Sequence, residues 1–187
     1  MSAQTSPLIT FWFQPASSTR ALIESGRGHS AALGIAALFG AVQSGTAYLR
    51  AEQPSAAIFV YGALAGVVVL YFLSFFFRVS GKLFKGDPKP ENVRRSIGLG
   101  LLPWTLVFAF VFGYTFQGGD PNLLAKWFPA LFVPFLYGYT LLLLSLSVSL
   151  GLNLWKTFFC IALTFIGSLF PLTLIAQLIL GTPGAGN

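Results

Sequence analysis

The amino-acid sequence predicts an all-α, polytopic membrane protein: a five-transmembrane-helix bundle with the N-terminus inside, the C-terminus outside and an N-terminal interfacial amphipathic helix. Three observations support this. Of the 187 residues, 55% are hydrophobic and only 9% are charged, whereas a soluble domain has about 25% charged residues. Twenty residues are phenylalanine, which is more apolar surface than a soluble domain of this size could bury. Five long apolar stretches contain no Asp, Glu, Lys or Arg.

Each of the five stretches is long enough to cross a bilayer, which takes about 20 residues. The predicted spans cover residues 30–49, 56–77, 97–116, 129–150 and 157–180. Together they form a transmembrane domain over residues 30–180. A cytoplasmic and interfacial leader, residues 1–29, precedes it, and a short uncharged tail, residues 181–187, follows it on the outside.

The charges orient the spans, because Lys and Arg concentrate in the cytoplasmic loops of membrane proteins. With the N-terminus inside, nine of the eleven basic residues fall inside, and only Arg50 and Lys126 fall outside. Three of the five carboxylates also fall inside. The predicted inner side therefore carries the whole formal net charge of +6, and the outer side is neutral.

The leader contains an aromatic segment followed by a short helix. The aromatic segment, predicted to anchor the leader at the membrane interface, is Phe11, Trp12 and Phe13. Pro15 suits the first turn of a helix, in which apolar residues share one face and Arg20 and Glu24 lie on another. One interpretation is an amphipathic helix that lies on the inner leaflet. The other is a solvated leader with a hydrophobic plug against the bundle.

Residues 78–96, between the second and third spans, form the most charged segment of the chain. We expect a loop with turns around Gly86-Asp87-Pro88. The residues predicted to contact lipid or a partner are Lys82, Lys85, Lys89, Arg94 and Arg95. Each cation close to an anionic leaflet contributes about 1 kcal/mol of attraction. The alternative interpretation is that this charge only sets the topology.

Small residues recur at four-residue spacing in the first two spans. The predicted packing residues are Ala36 and Gly40 in the first span and Gly62 and Gly66 in the second. Such rows let helix backbones approach closely within a membrane. We expect them to pack the first span against the second, and the alternative is a dimer interface.

The sequence carries no recognisable catalytic motif, and we predict no catalytic residue, no cofactor, no metal and no nucleic-acid partner. A structural metal needs about four ligands, and His29 and Cys160 are the only residues of their types. No carboxylate lies within a span, which argues against an intramembrane proton relay. Gln43 and Gln177 are the long polar side chains at depth, and they either bond neighbouring helices or line a polar pore.

The order of these features resembles the Yip family of small five-span membrane proteins, first known as partners of Rab-type GTPases. The motifs are the aromatic-proline leader from Phe11 to Pro15, the basic segment after the second span, and the start of the third span. There, Gly98 and Pro103 match the family's Gly-Tyr-x-Leu-x-Pro signature, with Leu99 at the tyrosine position. The resemblance covers nearly the whole chain. It implies a helical bundle without catalytic activity, associated with membrane trafficking and partner recruitment. Leu99 in place of the tyrosine fits the bacterial branch of the family.

These observations favour a non-enzymatic membrane protein that recruits anionic lipid, or a protein partner, at the inner leaflet, with homo-oligomers as a further option. Two alternatives remain open at this point. One is a small-solute transporter or channel, and the other is an accessory subunit of a larger membrane complex. Short loops favour a bacterial inner (plasma) membrane, and an endomembrane is expected if the chain is eukaryotic.

Overall fold

The structure, a computed structural model, describes the backbone of residues 7–180 and the side chains of residues 9–120, 122–171 and 173. Its helices in chain order are α1 (Pro7–Phe13), α2 (Pro15–Glu24), α3 (His29–Gln43), α4 (Gly45–Arg50), α5 (Ala57–Leu83), α6 (Pro90–Gly100), α7 (Leu102–Phe116), α8 (Pro121–Leu150) and α9 (Leu154–Leu180). The predicted outer tail, residues 181–187, lies outside the described residues.

Within the described residues, five helical segments are long and apolar enough to cross a membrane, so the chain has the architecture of an integral membrane protein. In order they are α3 with α4, α5, α6 with α7, α8, and α9. Their outward faces are apolar, as on α5, where Val60, Leu64 and Val68 are all exposed. Exposed apolar faces of this length fit lipid rather than water.

The helices reach further than the predicted spans, most of all around the basic segment. Helix α5 continues six residues beyond Phe77, and α6 begins seven residues before Ile97. The expected loop 78–96 is therefore reduced to the turn 84–89, which we call the α5–α6 turn. The physical reason is that long cationic side chains are compatible with a helix that leaves the hydrocarbon and enters the headgroup layer.

The bundle core lies where α3, α5, α6, α8 and α9 meet. The largest cluster of buried apolar residues includes Ala36, Leu70, Ile97, Leu146 and Ile161, one from each of these helices. The contact between α3 and α5 is the most extensive helix–helix contact in the described chain. Both are consecutive spans joined by a short connection, so they pack antiparallel as neighbours.

The third span is interrupted at Leu101, between α6 and α7. Pro103 lies in the first turn of α7, and it has no N–H to donate to the carbonyl of Leu99. The chain continues with nearly helical geometry, because the Leu101 carbonyl accepts from the Thr105 N–H at 2.8 Å. Pro103 itself is buried.

Helices α1 and α2 fold back on each other around Gln14, whose φ of −137° and ψ of 65° are not helical. The Ser18 hydroxyl donates to the Thr10 hydroxyl at 3.0 Å, across eight residues. In a continuous helix these residues would be about 12 Å apart. We call the two helices the N-terminal hairpin.

The N-terminal hairpin packs along the second half of α8. Phe11 and Leu22 are buried against Leu141 of α8 and Leu99 of α6. Trp12 stacks on Tyr137 with ring centroids 6.2 Å apart, and the Tyr137 hydroxyl donates to the Trp12 carbonyl. Thirteen residues, about 20 Å of helix, separate Tyr137 from the end of α8. The hairpin thus reaches well into the depth of the bundle.

Candidate functional site

Most charged side chains lie at one end of the bundle, which we call the basic end. There α2, α5 and α8 finish, and α3, α6 and α9 begin. Its charged residues are the cations Arg20, Arg27, Arg78, Lys82, Lys85, Lys89, Arg94, Arg95 and Lys156 and the carboxylates Glu24, Asp87 and Glu91. The opposite end carries only Arg50, Lys126, Glu52 and Asp120. All the formal net charge of +6 therefore lies at the basic end.

The α5–α6 turn packs against the end of α8 through a backbone hydrogen bond. The Asp87 N–H donates to the Leu150 carbonyl at 3.2 Å. Gly86 has no room for a side chain, because an added Cβ would collide with the backbone of Leu150. The turn therefore lies in direct contact with the end of α8, and it carries Lys85 and Lys89.

Helices α5 and α8 end in the same way, with a Schellman motif. At α8, Gly151 has φ of 65°, and the Leu152 N–H donates to the Ser147 carbonyl at 3.1 Å. At α5, the corresponding residue is Lys85, also with φ of 65°, and the Gly86 N–H donates to the Gly81 carbonyl at 2.9 Å. Glycine is the usual residue at this position. Lys85 is the one described non-glycine residue with positive φ.

The predicted contact residues of the basic segment divide into an exposed group and a buried one. Lys82, Lys85 and Lys89 are exposed, and Lys89 is also the N-cap residue of α6. Arg94 is half-buried, with its guanidinium 4.8 Å from the centre of the Tyr71 ring, a cation–π contact.

Arg95 is placed differently from the other predicted contact residues, because it is only 6% exposed. It donates to the Gly26 carbonyl at 2.8 Å and to Asn92 Oδ1 at 3.1 Å, and it lies 3.8 Å from the Glu91 carboxylate. Its partners are thus within the protein. The exposed cations available to lipid from the predicted set are Lys82, Lys85 and Lys89.

A cleft of about 610 Å³ opens at the basic end between α2, the α5–α6 turn and the end of α8. We call it the inner cleft. Arg20 and Glu24 line it from α2, and Asp87 and Lys89 line it from the turn. Asn92 of α6 and the last turn of α8 complete its lining. The sequence did not indicate this cleft, because its walls come from three distant segments.

The aromatic residues of the leader do not share one environment. Phe11 is 1% exposed and lies inside the bundle, because Leu22, Leu99 and Leu141 surround it. Trp12 is half-buried on Tyr137. Phe13 is 84% exposed, which makes it the most accessible of the three to lipid. The plug interpretation describes Phe11 better than the interfacial one does.

The predicted packing residues lie at the contact between α3 and α5. A Cβ added to Gly40 would lie 2.7 Å from the Gly66 Cα, and one added to Gly62 would lie 2.6 Å from the Gly40 carbonyl oxygen. A Cβ on Gly66 would collide with the Ala36 carbonyl. These residues therefore serve contact within one chain.

The two residues that carry the family resemblance are both buried where helices meet. A Cβ added to Gly98 would lie 2.6 Å from Ala32, so α6 approaches α3 closely there. Pro103 interrupts the third span, as described above. Close packing at Gly98 and the boundary between α6 and α7 at Pro103 give these residues structural roles that do not depend on any family.

A row of polar residues on α9 was not predicted. Thr157, Cys160, Thr164 and Ser168 are all buried, at helical spacings of three and four. The Thr164 hydroxyl donates to the Ser80 hydroxyl of α5 at 3.1 Å. The spacing was a signal available in the sequence. Its contacts with α5 indicate hydrogen bonding between helices.

The structure describes only some of the side chains considered for a pore or a metal site. Gln43 is exposed at the end of α3, and the side chain of Gln177 lies outside the described residues. Among the described side chains, no three of His, Cys, Asp or Glu lie close enough together to hold a metal ion. The transporter hypothesis stays a prediction.

No family model, curated protein or solved structure matches this chain. The Yip resemblance stays a hypothesis that rests on the order of the sequence motifs.

Proposed function

We propose that this membrane protein is non-enzymatic and recruits anionic phospholipid headgroups to the basic end through Lys82, Lys85 and Lys89. The positive-inside rule then places the basic end at the inner leaflet. This is the kind of recruiting role that the Yip-type resemblance implies. A protein partner with an acidic surface is the alternative occupant of the same lysines.

The backbone conformation of Lys85 is the observation that carries this proposal. A left-handed conformation costs a non-glycine residue roughly 1 kcal/mol or more. The adjacent end of α8 solves the same structural problem with Gly151. At such a position glycine has a lower conformational free energy than lysine. The presence of a lysine is explained if its charge is needed there.

The neighbouring charges act in the same direction. Lys82 lies on the last turn of α5, and Lys85 and Lys89 lie in the α5–α6 turn that follows. None of the three lysines forms an ion pair in the described part of the chain. Three cations near an anionic surface contribute about 3 kcal/mol, or roughly a hundredfold in affinity.

Lipid binding to the purified full-length chain tests the proposal. The protein in mild detergent is titrated with phosphatidylglycerol or phosphatidylcholine of the same acyl chains, and bound lipid is counted by native mass spectrometry. We expect a preference for phosphatidylglycerol that is lost in the triple variant Lys82→Gln, Lys85→Gln, Lys89→Gln.

The opposite end of the bundle supplies the matched control. The double variant Arg50→Gln, Lys126→Gln also removes positive charge, but from the end that carries no net charge. It should keep the preference for phosphatidylglycerol. An equal loss in both variants, or a triple variant that binds like the wild type, would refute the proposal.

A further inference from the structure

We infer that the inner cleft binds the headgroup of a zwitterionic phospholipid that carries a primary ammonium, as in phosphatidylethanolamine. The inference deepens the proposed function and rests on it, since it needs the basic end to meet phospholipid headgroups. It assigns a second lipid class to the inner cleft, which shares Lys89 with the proposed lipid site but does not include Lys82 or Lys85.

Each long wall of the cleft carries one cation and one carboxylate. On α2 these are Arg20 and Glu24, four residues apart, and on the α5–α6 turn they are Lys89 and Asp87. A purely anionic ligand would meet two carboxylates as well as two cations. A ligand with a phosphate and an ammonium can pair with both kinds of side chain.

Among the described residues, the four charged side chains have no charged partner. In the described part of the chain the one ion pair joins Arg95 to Glu91, outside this group. Asn92 accepts from Arg95 through Oδ1, and its Nδ2 has no partner among the described residues. The cleft therefore presents cationic and amide donors for a phosphate and carboxylate acceptors for an ammonium.

The helix ends around the cleft favour the ammonium group of a zwitterion. Helices α2 and α8 both finish there, and the carboxyl end of a helix carries partial negative charge that favours a cation. Ile23, Val148 and Leu152 supply the apolar part of the lining, suited to the glycerol end of a lipid. A volume of about 610 Å³ is within the range of small-ligand sites.

The depth of the cleft fits a headgroup. Its lining includes Ser147, Val148 and Ser149 from the last turn of α8, and Gly151 and Leu152 from just beyond it. A span that ends at this point puts the cleft at the boundary between hydrocarbon and headgroups. A membrane phospholipid is therefore the source of the ammonium and phosphate to which we commit.

Competition between two lipids tests the inference on the full-length protein in detergent. Equimolar phosphatidylethanolamine and phosphatidylglycerol with the same acyl chains are added, and both adducts are counted by native mass spectrometry. In the variant Glu24→Gln, Asp87→Asn, the affinity for phosphatidylethanolamine should fall about tenfold, because a charge-assisted hydrogen bond to the ammonium is lost. Its phosphatidylglycerol binding should be unchanged or higher.

Two further variants separate this inference from the proposed function. Lys82→Gln with Lys85→Gln should lower phosphatidylglycerol binding and leave phosphatidylethanolamine unchanged. If phosphatidylglycerol binding does not fall in this variant while the other results are as expected, the lysine site of the proposed function is refuted and the lipid site in the cleft is not. Glu52→Gln with Asp120→Asn removes two carboxylates from the opposite end, and it should change neither lipid.

Three outcomes would overturn the inference. One is phosphatidylethanolamine binding that is unchanged in the Glu24→Gln, Asp87→Asn variant. Another is an equal loss in the Glu52→Gln, Asp120→Asn control. The third is displacement of the lipid by an equal concentration of soluble phosphoethanolamine, because the ligand would then be a free phosphoamine and not a lipid.

Discussion

The guanidinium of Arg95 donates a 2.8 Å hydrogen bond to the carbonyl oxygen of Gly26, 69 residues earlier in the chain. Gly26 lies in the connection between α2 and α3, with φ of 68°. Arg95 therefore joins the connection that follows the N-terminal hairpin to the first turns of α6. The same side chain bonds Asn92, which lines the inner cleft. One buried cation thus bonds both a residue of the cleft lining and the connection that follows α2.

We predict that Arg95→Gln destabilises the fold by about 1.5–3 kcal/mol, the cost of losing hydrogen bonds from a charged group to buried partners. Thermal unfolding in detergent measures the change. Arg95→Lys keeps the charge but loses the forked geometry, so it should recover only part of the stability. Full stability in Arg95→Gln would show that the Gly26 contact contributes nothing.

Gly40→Ala should destabilise the protein by about 1–3 kcal/mol, because the new methyl group meets the backbone of α5. Gly34 on the same helix is the matched control, since an added Cβ there has nothing within 4 Å. Gly34→Ala should be neutral or stabilising by up to about 1 kcal/mol. Unfolding in detergent compares the two, and similar effects would contradict the close α3–α5 contact.

Lys85→Gly should raise stability by roughly 1 kcal/mol, since glycine adopts the positive φ of 65° without strain. It should at the same time lower phosphatidylglycerol binding. Lys82→Gly, three residues earlier and inside α5, should instead lower stability by about 0.5–1 kcal/mol. Stability changes of opposite sign in the two variants, measured by thermal unfolding, would support backbone strain at Lys85. A destabilised Lys85→Gly would exclude it.

Trp104 should be energetically coupled to Gly138. Its Nε1 donates to the Phe135 carbonyl at 2.9 Å, and a Cβ on Gly138 would lie 2.8 Å from that nitrogen. Trp104→Phe should cost about 0.5–1.5 kcal/mol. Gly138→Ala should cost more in the wild type than in Trp104→Leu, where the clash is removed. A double-mutant cycle measures this coupling, and strict additivity would refute it.

The predicted topology is open to a labelling test. With the native Cys160 replaced by Ala, single cysteines are introduced as Lys89→Cys at the basic end and Gln53→Cys at the opposite end; both native side chains are exposed. A membrane-impermeant maleimide applied to intact cells should label Gln53→Cys. It should reach Lys89→Cys only after permeabilisation. The reverse labelling pattern would show that the basic end faces outward and would refute the predicted topology.

The spans could be predicted from the sequence because uninterrupted apolar stretches leave few alternatives. Their ends could not, because local capping sets them rather than hydrophobicity. Helix α5 runs on to the Schellman motif around Lys85, and α6 starts at Pro90, which suits a first helical turn. Both signals are local, but they lie within the charged segment that we expected to be a loop.

The position of the leader and the inner cleft depend on contacts that sequence patterns do not show. The helix from Pro15 to Glu24 has the periodicity of an amphipathic helix, whether its apolar face meets lipid or protein. The choice depends on Leu99 and Leu141, which are far away in the chain. Likewise, the unpaired charges of the cleft come together only when α2 packs beside α8.

The depth of the N-terminal hairpin has a consequence for the order of assembly during synthesis. Trp12 emerges from the ribosome 125 residues before Tyr137, the residue on which it stacks. The hairpin is therefore made first but cannot reach its final position until the fourth span has entered the bilayer. Until then it lacks the residues of α8 against which it packs, and it docks on them at a stage when α9 is still to be added.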